Sequence, residues 1–304
     1  MYIEWSVNKG EMMSVSEESA LIELSGLYDA HSHLQLDVSQ RGRVEALRAL
    51  RELRGAALMS TEPPNWGLYA ELMAVHSAQL DGQAQRQAPR CLYGIHPWFA
   101  HKYAGDLSWI DELSARLDQD PRSAIGEIGL DRQWRPPETG VVHGSEQLVV
   151  FKAQLSLAAE RGLPVSVHCV RAQGDLQRIL SEAPSLPPVI YLHAFGGARG
   201  TVEQLIRAKR YGERLYFGFA SCINLRSNKC HEAIKAVPDD RLVLESDRSS
   251  AAPLERIQRE LNQMLSLYAE LKGWSGLEEA AERTAQNAER LYEGSTAPLT
   301  SGKT

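Results

Sequence analysis

Eight short apolar runs alternate with helix-patterned stretches along the chain, and this alternation constrains the fold more than any other feature. The runs are 26–31 (GLYDAH), 55–60 (GAALMS), 91–96 (CLYGIH), 124–130 (AIGEIGL), 164–168 (PVSVH), 189–193 (VIYLH), 214–220 (RLYFGFA) and 241–247 (RLVLESD). Most are apolar at both alternating positions, as strands buried on two faces are. The intervening stretches carry apolar residues at helical spacing, such as Leu148, Phe151, Leu155 and Ala158 after a capping Ser145, or Ile257, Leu261, Leu265 and Tyr268. Strand-then-helix units repeated eight times predict an α/β fold, a single closed parallel (β/α)8 TIM barrel. The 304 residues fit one barrel of about 250 residues plus terminal segments. The expected division is an N-terminal extension (1–24), a barrel (25–293) and a disordered Ser/Thr/Gly/Pro-rich tail (294–304). The segment 132–144, with Pro136, Pro137 and Gly140, reads as a long loop after the fourth strand.

Composition removes several function classes. No run of about 18 apolar residues exists, so no membrane role is expected. The first 24 residues lack the basic start and apolar block of a secretory signal, which points to cytoplasm or nucleus. Cys91, Cys169, Cys222 and Cys230 form no CxxC pair and read as reduced thiols. The net charge of −6 argues against broad, sequence-wide nucleic-acid binding, although bound dications would concentrate positive potential at one pocket.

The chemistry lies in the residues that end the strands, where a barrel places its active site. The first run leads into His31-Ser32-His33, the third into His96-Pro97-Trp98, the fourth carries Glu127 and then Asp131, and the fifth ends in His168. The sixth ends in His193 and the eighth in Glu245-Ser246-Asp247. Carboxylates gathered at one rim without a cation would repel and be poorly solvated, and a metal cluster resolves that cost. His31 and His33, two apart on an extended strand, share a face and reach one ion together. Four imidazoles and two carboxylates exceed the needs of one tetrahedral ion, so two divalent ions (Mg2+, Mn2+ or Zn2+) are expected, bridged by Glu127.

These motifs together resemble the TatD family of metal-dependent deoxyribonucleases, within the amidohydrolase-type barrels. The resemblance rests on Asp29-Ala30-His31-Ser32-His33, Tyr93 to Trp98, Ala124 to Asp131, Pro164 to His168, Leu192 to Gly197, Leu242 to Asp247, and Asn287 with Leu291. It is nearest to a fungal TatD-like subgroup, one of whose members is described as interacting with a cell-cycle complex subunit. The resemblance implies that His31, His33, Glu127, His168, His193 and Asp247 are metal ligands. It also implies that His96 and Asp131 line the pocket, that Glu245 supports it, and that Asp247 holds or deprotonates the attacking water. The implied activity is hydrolysis of DNA phosphodiesters from a 3′ end through a metal-bound hydroxide.

Two loops depart from the family pattern. Arg171 stands one residue later than the family's arginine after the fifth-strand histidine, and Asp247 is followed by Arg248-Ser249-Ser250 rather than by a residue and proline. Arg171, Arg132, Arg199 and Arg248 all lie near strand ends, as phosphate contacts or as surface ion pairs. Trp98 and Trp134 read as packing residues or as base-stacking residues. The basic segment 37–52 (Arg41, Arg43, Arg48, Arg51) reads as a solvated face or as a phosphate-contacting lid. The expected partners are DNA or another phosphodiester, with a protein partner as an added role. Two other readings compete: an amidohydrolase acting on a C–N or ester bond, and a binding protein that has kept its metal site. No lysine ends a strand to bridge metals, which disfavours the first.

Overall fold

The computed structural model describes residues 21–77, 89–248 and 253–293. The disordered-tail expectation (294–304), residues 1–20 of the extension, and Ser249 and Ser250 lie outside the described residues. Residues 21–24 already pack on the barrel: the Ile22 amide donates to Asn262 Oδ1 at 2.7 Å and Leu24 is buried.

Eight parallel strands form one sheet in sequence order: β1 (Tyr28–Ser32), β2 (Gly55–Met59), β3 (Arg90–Tyr93), β4 (Ala124–Asp131), β5 (Val165–Val170), β6 (Ile190–Leu192), β7 (Leu215–Ala220) and β8 (Leu242–Glu245). Register pairs such as Leu58 with Cys91, Val167 with Leu192 and Phe217 with Leu242 align the strands. The seam between β8 and β1 is closed at its C-terminal end. There the Asp247 amide donates to the His31 carbonyl (2.9 Å) and the His33 amide to the Arg248 carbonyl (2.7 Å). Asp29 reinforces the seam by accepting from the Ser246 amide (2.9 Å) and hydroxyl (2.6 Å).

Helices fill the crossovers: α1 (Gln40–Glu52) after β1, α2 (Trp66–Ser77) after β2, α3 (Ala100–Tyr103) and α4 (Trp109–Gln119) after β3, and α5 (Gly144–Arg161) after β4. Next come α6 (Gln173–Glu182), α7 (Arg199–Ile206), α8 (Ser221–Asn224), α9 (Asn228–Ala236), and finally α10 (Leu254–Lys272) and α11 (Leu277–Glu293). The strand alternation divides the core. Leu58, Cys91, Ile125, Val167, Leu192, Phe217 and Leu244 pack with helix residues such as Phe151, Leu261 and Leu265. Ala57, Met59, Leu92, Ala124, Tyr191 and Val243 use the other alternation, and α11 adds Ala288, Leu291 and Tyr292 to that cluster. Asn287 ties α11 to the entry of β8, donating to the Asp239 and Leu242 carbonyls at 2.7 Å each. The N-terminal end of the barrel is thereby closed, and the C-terminal end remains for chemistry.

One sequence expectation is corrected and another is narrowed. The residue preceding α5 is His143, which makes no side-chain cap bond; Ser145 sits inside the first turn and donates to Glu146 (2.7 Å). Of the two readings of the basic segment, the solvated face is the one the structure supports. The segment is helix α1, capped by Ser39, with Ala46, Ala49 and Leu50 buried, while Arg43 pairs with Glu71 (3.1 Å) and Arg48 with Glu255 (3.3 Å). No helix among the described residues is long and apolar enough to cross a membrane.

Candidate metal centre

Glu127 in β4 is the hub of the C-terminal mouth. Its Oε2 lies 3.3 Å from His31 Nε2 and 3.1 Å from His33 Nε2. Its Oε1 lies 2.6 Å from His193 Nε2, 2.9 Å from His168 Nδ1 and 3.2 Å from His96 Nε2. Asp247 Oδ1 stands 3.7 Å from both His31 Nε2 and His33 Nε2. The His31 and His193 rings stack at 3.8 Å. The six side chains expected to bind metal therefore meet at one point, joined by His96. Three triads, His31/His33/Glu127, His31/His193/Asp247 and His96/Glu127/His168, each bring their ligand atoms within 4.8 Å of one another.

The outer nitrogen of each ring decides what the inner one offers. A carbonyl can only accept, so His33 Nδ1, 2.7 Å from the Met59 carbonyl, carries the proton and leaves the Nε2 lone pair facing Glu127. His31 Nδ1 faces the Ser166 hydroxyl at 2.9 Å, and His168 Nε2 faces the Asp131 carboxylate at 3.3 Å. His96 is wired the other way. The Trp98 amide donates to its Nδ1 (3.2 Å), so the neutral ring carries its proton on Nε2 and donates it to Glu127. His96 thus orients the Glu127 carboxylate rather than offering an electron pair. His193 Nδ1 is buried without a hydrogen-bond partner, with Glu245 Oε2 3.9 Å away. The donor set, imidazole lone pairs around carboxylates, fits divalent ions of the Zn2+, Mn2+ or Mg2+ type.

Burial alone would raise the Glu127 carboxyl, but His193, His96 and His31 hold it well below the ordinary value. Burial raises Asp247 and pulls His96 down to about 4. Burial also pulls on His168, yet its bonds to Asp131 and Glu127 prevail and set it at about 9. A pKa raised in the fold contributes stability that is present below the unfolded value, about 6.5, and lost as pH rises through 9. A metal ion bound through His168 would have to displace that proton. Apparent metal affinity is therefore expected to climb by up to about tenfold per pH unit below pH 9 for one proton, then flatten. Calorimetric titration at pH 7.5 in buffers of different ionisation enthalpy checks this; binding without proton release would contradict it.

A deeper layer supports the ligands, and it obeys the strand period of two. Asp29 precedes His31, Ser166 precedes His168, Tyr191 precedes His193 and Glu245 precedes Asp247, each by two residues. The Tyr191 hydroxyl donates to Glu245 Oε2, and the Ala194 amide donates to Glu245 Oε1 at 2.6 Å. A Cβ at Gly218 would overlap the Tyr191 hydroxyl, so glycine makes room for this pair. Burial lifts Asp29 to about 7 and Glu245 to about 8. The sequence reading overlooked Ser166 and Tyr191; their spacing from the histidines was the available signal.

Strand ends differ slightly from expectation. His193 and Asp247 lie beyond β6 and β8, where the backbone turns through left-handed φ: 41° at Ala194 and 52° at Asp247. Arg171 does the same after β5, at φ 51°. Non-glycine residues held there mark sites where surrounding structure overrides local preference. Of the four arginines near strand ends, Arg132 pairs with Asp175 (2.5 Å), Arg199 with Glu203 (2.9 Å) and Arg248 Nε with Glu260 (2.6 Å). Arg171 is exposed and has no ion pair among the described residues.

Comparison with known proteins agrees with this geometry. The family model described as "TatD related DNase" matches residues 28–293. The chain is 32% identical to the "3'-5' ssDNA/RNA exonuclease TatD" of Erwinia amylovora, over 72% of this chain and 85% of the relative. It is 26% identical to the "Cut9-interacting protein scn1" of Schizosaccharomyces pombe, over 60% of this chain and 78% of the relative. Among solved structures it superposes on a TatD family hydrolase from Entamoeba histolytica (TM-score 0.67, 17% identity, 88% of this chain and 97% of that one). It also superposes on YJJV, a TatD homolog from Escherichia coli (TM-score 0.69, 22% identity, 90% of this chain and all of that one). At those identities the structural likeness speaks for the barrel alone, whereas the family match spans the barrel from β1 to the end of α11: the chain belongs to the TatD-related DNase family.

Proposed function

We propose that this chain is a 3′–5′ exonuclease that hydrolyses phosphodiester bonds in single-stranded nucleic acid at a two-metal centre. One observation carries the reading: the two oxygens of Glu127 face separate imidazole pairs, His31 with His33 and His168 with His193. Asp247 completes the first set. Divalent ions bound there would acidify a water and neutralise charge developing on the phosphate.

The protein's own groups supply the rest. Asp247 is the most accessible carboxylate of the centre, its side chain 17% exposed against 2% for Glu127. Burial raises its pKa, which suits a base that takes a proton from the attacking water. Glu127, kept ionised by the surrounding histidines, holds the two halves of the centre together. His96 fixes Glu127 through Nε2–H. Arg171, exposed just after β5 and without an ion pair among the described residues, holds a flanking phosphate.

The test is a panel of single-stranded DNA, RNA, duplex DNA, methyl p-nitrophenyl phosphate and amide substrates, each with Mg2+, Mn2+ or Zn2+. Stepwise release of nucleotides from the 3′ end of a single strand is expected. Amide hydrolysis with no phosphodiester hydrolysis would place the chain among C–N amidohydrolases instead. In the same panel, Arg171→Ala should raise KM for an oligonucleotide about fivefold more than for the small ester, the effect of about 1 kcal/mol for an exposed contact. An equal change for both substrates removes Arg171 from phosphate binding.

A further inference from the structure

The tryptophans at the mouth are placed for a task that the metal ligands do not perform. The Trp98 and Trp134 rings stack with centroids 4.4 Å apart and planes inclined by 23°. The Trp98 ring stands edge-on to His96 at 4.7 Å and to His168 at 6.3 Å, so the stack adjoins the centre directly. Both tryptophans are only half-buried.

One carboxylate holds the whole arrangement. Asp131 Oδ2 accepts from Trp98 Nε1 (2.8 Å) and faces His168 Nε2 (3.3 Å). Asp131 Oδ1 accepts from the Gln133 amide (2.7 Å) and the Trp134 amide (2.9 Å). The Asp131 backbone is itself clamped by Gln147, which accepts from its amide (2.8 Å) and donates to its carbonyl (2.9 Å). The stack therefore stands at a fixed distance from His168 before any ligand arrives. A rigid, partly open indole face costs little entropy to use and matches the flat face of a base. Core packing alone would not require a carboxylate shared with His168.

Adjacent strands carry the rest of the track. Trp98 follows β3, Trp134 follows β4 and Arg171 follows β5, three neighbours on one arc of the rim. We infer that Trp98 and Trp134 form a stacking subsite for a nucleobase of an unpaired strand, next to the phosphate held at the centre. This inference rests on the phosphodiesterase reading and adds the element that selects single strands. Within a duplex the bases are stacked on one another and paired, so only the outer face of a terminal pair is open and no base can turn onto the indoles without unpairing, whereas every unpaired base has a face to give.

The test is equilibrium binding by fluorescence anisotropy, using the full chain with Ca2+ and two probes: a short oligothymidylate and the same oligonucleotide with abasic 3′-terminal positions. Wild type should bind the base-bearing probe about tenfold more tightly, equivalent to about 1.4 kcal/mol. Trp134→Ala should abolish that preference, and Trp134→Phe, which keeps a ring to stack on, should recover most of it. Trp134 is chosen because Trp98 touches the carboxylate behind His168. Equal binding of the two probes by wild type overturns the subsite, as does a preference that survives in Trp134→Ala. Because this readout needs no turnover, it separates the subsite from the reaction: a chain that prefers bases yet cleaves no phosphodiester in the panel keeps the platform and loses the exonuclease reading.

Discussion

Asp247→Asn is expected to lower kcat on a single-stranded oligonucleotide by about a thousandfold while leaving the fold intact. The magnitude is that of losing a positioned general base, typically 10²–10⁴-fold. The fold survives for three reasons. Asparagine has the same shape. It tolerates the left-handed backbone, φ 52°, better than almost any residue except glycine. The seam bond from residue 247's amide to the His31 carbonyl does not involve the side chain. The sign of the stability change in metal-free protein follows from the raised pKa. Burial disfavours the charged carboxylate, a cost that asparagine does not carry, so at neutral pH the metal-free variant should melt no lower than wild type. Differential scanning calorimetry without metal, alongside steady-state kinetics with Mn2+, checks both halves. Unchanged turnover would mean that Asp247 is not the base.

Glu127→Gln should have a broader effect, because on the proposed reading Glu127 serves metal and fold together. With one oxygen facing His31 and His33 and the other facing His168 and His193, its charge is common to both halves of the centre. The variant should bind no more than one divalent ion per chain and lose about 4 kcal/mol of transition-state stabilisation, roughly a thousandfold in rate. It should also weaken the metal-free fold. A depressed carboxylate pKa contributes stability that is present above the unfolded value and lost as pH falls, so neutral pH is where the loss shows. Removing one partner of a buried charge cluster costs about 3 kcal/mol, or roughly 6 °C in Tm. Metal analysis after dialysis and thermal melts provide the readings. Two tightly held ions in Glu127→Gln would remove it from the bridging position.

What could be read from sequence, and what could not, divides by distance along the chain. Strand order was legible because buried parallel strands are apolar on both alternations, and the candidate site end because histidines and carboxylates collect mostly in or just beyond the C-terminal halves of the strands. The pairing of His31 with His33 followed from the same period of two. The role of His96 was not legible. Its proton is set by the amide two residues later, and a histidine in that position looks like any other strand-end histidine. Ser166 and Tyr191 were passed over because a serine or tyrosine inside a strand is usual; only their register with the histidines gives them meaning. The arginines were ambiguous for a different reason. Arg132 and Arg248 find carboxylates on neighbouring helices, contacts that no local pattern encodes, Arg199 takes Glu203 one turn along its own helix, and Arg171 stands apart only once those pairs are seen. The basic stretch around Arg43 and Arg48 stayed open between two readings in sequence, because a charged helix face and a charged lid share the same residues.

Anomalous diffraction from Mn2+-loaded crystals of the full chain tests the central claim most directly. Two peaks about 3.5–4 Å apart are expected, one beside His31, His33 and Asp247, the other beside His168 and His193, with Glu127 between them. A map without peaks at that mouth, or with a single ion that Glu127 does not touch, would contradict the account.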